Sequence, residues 1–344
     1  MKIVFFGTSE FAVPALEALT KADLAPFMVV TSPDKPAGRG LKISSPPVKQ
    51  FLKDAWLLLM QPETLDEKFI QKIRDLKPDI GVVAAYGKIL PKALIEAFSY
   101  GILNIHPSLL PKYRGSSPIE YTILAGEENN TGVSIILLDE KMDHGSIVVQ
   151  EKYHPTAPPY KGGDPNPNPL LTKEGLGEVK LSYSQLHDAL AKLGAEMIVD
   201  ALPKWTEKKI EAIPQEDDKA TFTKLIEKEN GKINWRQPAE FVERMTRAYE
   251  KWPGAYFEIQ EAKLPLGSFA SKLLKIKKSE VVERHLTMQA GTVFEKDGFP
   301  CVACGESALK LLTVQPEGKN EMPGDAYLRG HRSMLTWKRT TDEP

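Results

Sequence analysis

The sequence predicts an α/β chain: an open, mostly parallel sheet with helices on both faces, followed by a small antiparallel β-barrel. Three observations predict it. Short β-rich apolar runs alternate with helical patterns over residues 2–150. A charged stretch with few large apolar groups interrupts the chain at 203–230. Beyond it, short strand-like runs crowd into roughly 100 residues, as small barrels do. At 344 residues the chain accommodates two domains of the usual ~100–200 residues.

The elements follow in order. Lys2–Phe6 reads as a strand and Gly7-Thr8-Ser9-Glu10 as a tight turn. Phe11, Ala12, Ala15, Leu16 and Leu19 then recur at helical spacing. Further strands are expected at Phe27–Thr31, Asp79–Ala85, Ile102–Ile105, Gly132–Asp139 and Ser146–Gln150, with helical patterns at 46–55, 64–76 and 118–126. In such sheets ligands bind at the carboxyl ends of the strands, so the loops there matter most. Residues 154–180 hold six Pro and four Gly in 27 residues and read as a surface loop. Ser182–Leu202 is an amphipathic helix, with Leu186, Leu190, Leu193, Met197 and Leu202 near helical spacing. After it come a short helix at Pro238–Ala248 and strands at Ala255–Ile259, Leu273–Lys277, Gly291–Glu295, Pro300–Ala303 and Leu309–Val314. The expected division is a catalytic domain at 1–203, a linker at 204–230 and a barrel domain at 231–335.

Composition excludes several classes. Hydrophobic residues make up 42% and charged residues 26%, which is not the composition of a disordered chain. Lys and Arg total 45 against 46 Asp and Glu, so bulk charge does not hold this chain on a nucleic acid; local patches would have to. Two cysteines cannot staple a secreted scaffold. The apolar run at the N-terminus stops at Gly7, and no run approaches the ~20 residues that cross a bilayer. A cytoplasmic protein with no membrane partner is expected.

Five places could carry chemistry. The opening turn lacks G-x-G-x-x-G, which argues against a dinucleotide site. Asn104 and His106 lie two apart on a strand, so both face one side, and such a pair can polarise a carbonyl and move a proton. On spacing alone, a satisfied polar pair at a strand end is the simpler reading. Asp143 precedes Gly145 in the turn after a buried strand and should emerge nearby; alone it is an ordinary turn signature. Ser32–Pro47 carries Lys35, Arg39 and Lys42 against Asp34, which suits phosphate contact, though composition favours a solvated loop. Cys301 and Cys304 form a single C-x-x-C, too few ligands for zinc, and no metal site is expected.

The combination is recognisable. N-I-H-P-S-L-L-P-K-Y-R-G at 104–115, with G-V-S-I-I-L-L-D-E-K-M-D-H-G at 132–145, resembles the folate-dependent formyltransferases. S-P-D-K-P-A-G-R-G at 32–40, A-Y-G-K-I-L-P-K at 85–92, I-N-W at 233–235, K-W-P-G-A at 251–255 and L-T-V-Q-P-E-G-K at 312–319 are similar to the branch that works on tRNA. The resemblance runs from Lys2 to about Arg332.

That resemblance implies a Rossmann-like formyltransferase domain and a C-terminal OB-like barrel. It implies transfer of a formyl group from 10-formyltetrahydrofolate to the α-amino group of methionyl initiator tRNA by a monomer that needs neither metal nor DNA. Asn104, His106 and Asp143 match the catalytic trio, in which Asn104 and a protonated His106 would stabilise an oxyanion and Asp143 would take the amine proton. Ser108, Leu109, Leu110 and Pro111 match the folate-contacting segment, and Lys88 and Leu90 the pterin pocket. Arg39, with Lys35 and Lys42, matches the loop that approaches tRNA. Lys49 adds to that loop, and Lys272, Lys275, Lys277, Lys278, Arg329, Arg332, Lys338 and Arg339 offer charge in the second domain.

Two features depart from the pattern. Residues 154–180 are longer than usual, either an inert insertion or a tRNA contact. His144 stands where Thr or Ser is more familiar. Three other activities share parts of the pattern: formylation of an amino sugar nucleotide, hydrolysis of 10-formyltetrahydrofolate, and RNA binding without catalysis.

Overall fold

The computed structural model describes residues 1–37, 42–54, 57–154, 179–263, 269–284 and 287–332. They form two units. The first comprises 1–118, 128–179 and 185–224, and the second 119–127, 180–184 and everything from 225 onward.

The first unit is built on β1 (Ile3–Gly7), β2 (Met28–Val30), β3 (Lys35–Ala37), β4 (Lys42–Ser44), β5 (Leu58–Met60), β6 (Ile80–Ala84), β7 (Ile102–His106), β8 (Arg114–Gly115), β9 (Gly132–Leu137), β10 (Ile147–Lys152) and β11 (Phe222–Thr223). Seven of these form one sheet in the order β10-β9-β7-β6-β1-β2-β5. β5, β2, β1, β6 and β7 run parallel; β9 and β10 are antiparallel to their neighbours. The mostly parallel sheet is as expected. Every residue of β1, β6 and β7 is buried, which is why those strands read as unbroken apolar runs. β3 and β4 form a hairpin within the segment expected as a loop.

The helices along this part of the chain are α1 (Ala12–Lys21), α2 (Pro47–Phe51), α3 (Glu67–Leu76), α4 (Lys92–Ile95), α5 (Pro118–Ala125), whose residues from 119 belong to the second unit, and α6 (Tyr183–Thr206). α1 buries Ala12, Ala15, Leu16 and Leu19, the stripe that its spacing predicts. α3 starts where the Asp66 carboxylate accepts the Phe69 N–H at 2.9 Å, a cap that contributes about 1 kcal/mol. Gly194 of α6 faces β7 so closely that an added Cβ would sit 2.5 Å from Ile105 Cγ2. Ile105 therefore points toward α6, and Asn104 and His106 point the other way.

The expected linker at 204–230 needs correction. Residues 204–206 finish α6, and β11 pairs in parallel with β8. Ile213 exchanges two backbone hydrogen bonds of 2.8 Å with Ile147. Backbone pairing needs no apolar periodicity, so the sequence carried no sign of it. Residues 155–178 of the Pro/Gly-rich insertion lie outside the described residues.

The second unit contains α7 (Ala239–Ala248), α8 (Gly324–Gly330), β12 (Ala255–Lys263), β13 (Phe269–Val282), β14 (Val293–Lys296), β15 (Phe299–Ala303), β16 (Ala308–Pro316) and β17 (Met322–Pro323). Its antiparallel sheet has the order β12-β13-β16-β15-β14, with β17 on the free side of β16's end. Register shifts interrupt the β12–β13 ladder between Glu261 and Lys263, on the β12 side, and the β13–β16 ladder on either side of Lys278. Among the described residues no pairing joins β12 to β14, so the expected barrel is seen as an antiparallel sheet without a closing ladder. Trp235 meets Phe257 edge-on at 5.1 Å, and α7 covers β13.

Glu120, on α5 within this unit, has its carboxyl pushed up to about 7 by burial. Unfolded, the group ionises near 4.5, so the folded state is penalised progressively as pH rises from there through 7. Glu120→Gln should therefore raise stability by about 2–3 kcal/mol at pH 8 and leave it nearly unchanged at pH 4. Urea unfolding at the two pH values checks this; an equal effect at both would contradict it.

Candidate active site

β7 ends at His106. The turn between β9 and β10 leaves β9 beside the start of β7, where the Leu138 N–H donates to the Ile102 carbonyl at 2.8 Å, and Asp143 within it reaches the face of β7 that carries Asn104 and His106. Three side chains converge there. Asn104 Nδ2 donates to Asp143 Oδ1 at 3.4 Å, and His106 Nδ1 lies 3.6 Å from the same oxygen. Asn104 and His106 are buried, and Asp143 is 13% exposed. The other carboxylate oxygen, Oδ2, accepts the Gly115 N–H at 2.8 Å. Sequence spacing anticipated this convergence.

The ring of His106 is oriented from its far side. Nε2 is 3.0 Å from the Tyr113 carbonyl, which can only accept, so Nε2 carries a proton. This bears on the expectation that His106 helps to hold an oxyanion. Its Nε2–H is already committed, and only Nδ1 faces the cluster.

Asp143 itself occupies the left-handed region at φ 49. Two residues on, Gly145 packs so tightly that an added Cβ would come 1.8 Å from the Leu137 carbonyl oxygen. The turn is thus closed to a larger residue at 145, which accounts for the glycine there.

Sequence reasoning missed a polar bracket around this turn. Gln215 Nε2 donates to the carbonyls of Asp143 and Gly145, both at 2.8 Å. Its Oε1 accepts from Arg114 Nε at 3.0 Å, and Arg114 is paired to Asp217 at 2.8 Å. That hydrogen bond, with the Arg114 charge and the neighbouring His144 ring, holds the Asp217 carboxyl below the usual range. His144 lies between Asp139, at 2.5 Å, and Asp217, at 3.4 Å. No motif announced Gln215, which sits in the charged stretch expected as a linker.

Of the other predicted residues, Ser108–Pro111 follow directly on β7, and Ser134, the register partner of His106, bonds the backbone of Ser108 and Leu110. Ser108 is fully buried and donates to the Lys112 carbonyl at 2.7 Å, and Leu110 is buried with its backbone tied to Ser134 and Gln150. Leu109 and Pro111 are half-buried. Leu90 belongs to the core cluster of Phe6, Tyr86, Leu94 and Phe98. Burial, together with the charge of Lys35, lowers the pKa of Lys88, whose Nζ donates to the carbonyls of Pro62 and Glu63. Lys35 is exposed at the start of β3. Arg39 and the side chain of Lys42 lie outside the described residues, as do Lys338 and Arg339. Lys49 is paired with Asp34 at 2.8 Å. In the second unit Lys277 meets Glu321 at 3.3 Å and Arg329 meets Asp325 at 2.7 Å.

Cys301 and Cys304 are buried thiols, pushed by burial up to about 11 and about 12. Among the described residues no group of three or more His, Cys, Asp or Glu could hold a metal ion, and no helix is long and apolar enough to cross a membrane.

Comparison with known proteins agrees with this architecture. Residues 1–158 match the formyl transferase family, and residues 225–332 match the formyl transferase C-terminal domain. A methionyl-tRNA formyltransferase of Chloroflexus aurantiacus is 41% identical over 335 residues, covering 96% of this chain and 97% of that protein. One from Caldanaerobacter subterraneus subsp. tengcongensis is 38% identical, with the same two shares. Among solved structures, an N-formyltransferase of Helicobacter canadensis, in complex with folinic acid and dTDP-3-aminofucose, superposes with a TM-score of 0.59 at 17% identity, covering 90% of this chain and 99% of that one. HypX of Aquifex aeolicus in complex with tetrahydrofolic acid has a TM-score of 0.55 at 15% identity; it covers 99% of this chain, which spans 50% of HypX. Those two likenesses concern the fold. With both domain models matched and close relatives aligned end to end, the chain belongs to the formyl transferase family, on the branch whose members are named methionyl-tRNA formyltransferase.

Proposed function

We propose that this chain transfers the formyl group of 10-formyltetrahydrofolate to the α-amino group of methionine on initiator tRNA. The observation that carries the reading is the convergence of Asn104, His106 and Asp143 at the strand ends of a chain 41% identical, end to end, to a methionyl-tRNA formyltransferase. The amine nitrogen attacks the formyl carbon, a tetrahedral oxyanion forms, and the bond to folate N10 breaks. The amine gives up a proton and N10 gains one, so the products are formylmethionyl-tRNA and tetrahydrofolate.

An α-amino group titrates at about 7.7–8.0, so a useful fraction is neutral near pH 7 without a strong base. The reaction then needs oxyanion stabilisation and a proton path. Asn104 supplies the first: one Nδ2 hydrogen goes to Asp143 and the other remains for the oxyanion. His106 and Asp143 supply the second, as a pair that accepts the amine proton and returns one to N10. The Gly115 N–H on Asp143 and the Tyr113 carbonyl on His106 keep both in place.

In this reading folate lies along the backbone of Ser108–Pro111, since the Ser108 and Leu110 side chains are turned inward. The Lys88 and Leu90 segment closes the pterin side through its position, with Leu90 contributing to the core behind it. Arg39, Lys35 and Lys42 meet tRNA phosphates, and the second unit adds further RNA contact. The enzyme acts as a cytoplasmic monomer.

The test is a formyl-transfer assay with methionyl initiator tRNA, using an amino sugar nucleotide and buffer as parallel acceptors. Formylmethionyl-tRNA is expected, and His106→Ala should lower its formation at least ~10²-fold. Formylated sugar or free formate, with tRNA untouched, would replace the acceptor in this reading.

A further inference from the structure

We propose that Gln215 is a positioning residue for formyl transfer, holding Asp143 against Asn104 and His106 from a segment remote in sequence. The inference rests on the function proposed above.

The geometry leaves Gln215 one orientation. Its two amide hydrogens go to the carbonyls of Asp143 and Gly145, each at 2.8 Å, and its carbonyl oxygen takes Arg114 Nε–H at 3.0 Å. Rotating the amide by half a turn would set oxygen against two carbonyl oxygens and NH2 against a guanidinium N–H. All three bonds therefore act together. They bracket Asp143, whose φ of 49 is a conformation that a side-chain-bearing residue holds only when its surroundings impose it. A carboxylate swinging on a relaxed turn would lose its 3.4 and 3.6 Å approaches to Asn104 and His106.

The bracket is itself anchored at the other member of the cluster. Arg114 follows Tyr113, whose carbonyl orients His106. Tyr113 N–H donates to Thr221 Oγ1 at 2.8 Å, and Arg114 N–H to the Thr221 carbonyl at 2.9 Å. The segment from Gln215 to Thr223 thus sets the backbone behind both His106 and Asp143. Gln215 does not touch the cluster's side chains itself; it acts through the backbone of Asp143.

Gln215→Glu and Gln215→Ala separate positioning from packing. Glutamate keeps the volume but turns an acceptor toward two carbonyls; alanine removes the donors without that repulsion. With methionyl initiator tRNA and 10-formyltetrahydrofolate, kcat should fall ~10²-fold in Gln215→Glu and ~10-fold in Gln215→Ala, the scale of an ångström's misplacement. KM for each substrate should stay within about twofold, since neither binding surface is touched. Backbone hydrogen exchange over 139–146 should quicken in both variants while exchange in β1 and β6 does not. Should Gln215→Glu fail to fold, Gln215→Ala carries the test. A kcat within about twofold of the unmodified chain, a loss confined to KM, a larger loss in alanine than in glutamate, or unchanged exchange over 139–146 would overturn the proposal. Absence of formylmethionyl-tRNA from the unmodified chain would instead overturn the functional reading, and the exchange measurement would still report on the bracket.

Discussion

Asn104→Ala should form formylmethionyl-tRNA about 10²–10³-fold more slowly than the unmodified chain, the usual loss when one oxyanion donor is removed. The reason lies in what Asn104 already does. Its bond to Asp143 is long, at 3.4 Å, so losing it costs folding about 1 kcal/mol or less. The catalytic loss should therefore appear without a matching loss of stability. An interaction made only with the developing oxyanion lowers kcat and kcat/KM together and leaves KM alone. Asn104→Asp is the sharper control, because it sets a second carboxylate beside Asp143 and adds repulsion to the missing donor. Steady-state kinetics with both substrates varied decides the matter. If Asn104→Ala raises KM and spares kcat, Asn104 binds substrate and the oxyanion role falls.

Arg247→Met should destabilise the second unit by about 3–5 kcal/mol, the range for removing one partner of a buried ion pair. Arg247 Nε lies 2.9 Å from Glu243 Oε1 one helical turn earlier in α7, and the two side chains are only 14% and 8% exposed. Glu243 would be left buried, with Lys180 at 4.0 Å as its remaining ion-pair partner at that range among the described residues. Arg247 also donates to the Leu181 carbonyl at 2.7 Å, so the 180–184 segment loses a tether as well. Replacing both charges, as Glu243→Leu with Arg247→Met, should recover much of the loss, since a buried pair contributes little beyond its own desolvation. Denaturant unfolding followed by exchange in α7 measures both. A single variant that loses under ~1 kcal/mol would mean the pair is solvated rather than buried.

Much of the first unit was legible because its strands are buried on both faces. Lys2–Phe6, Asp79–Ala85 and Gly132–Asp139 read as largely apolar, β-rich runs, and the sheet follows from their alternation with helices. Short elements were missed, β5 even though it ends the apolar run A-W-L-L-L-M at 55–60. β5 is three residues long, α4 four, and the β3–β4 hairpin lies in a Pro- and Gly-rich stretch that reads as loop. The cluster was legible for a similar reason: a period of two puts Asn104 and His106 on one face, and Asp143 beside Gly145 marks a turn at a strand end. Gln215 was not legible, because a lone amide in a charged stretch has no pattern and its value comes from where the fold carries it. Leu90 and Leu110 show the converse. An apolar side chain next to a motif suits a pocket wall and a core equally well, and burial puts both in the interior.

The two units are interleaved along the chain: 119–127 and 180–184 belong to the second, though most of it starts at 225. This gives synthesis on the ribosome a direction. Once Lys224 has emerged, the whole sequence of the first unit is available, while α5 still waits for Arg244, whose Nε donates to its Leu124 carbonyl at 2.8 Å. The remaining stretch to Arg332 takes about 5–20 s to translate. For that time a nascent chain carries a complete sheet with an orphaned helix, and the second unit can close only by reaching back to segments made long before it.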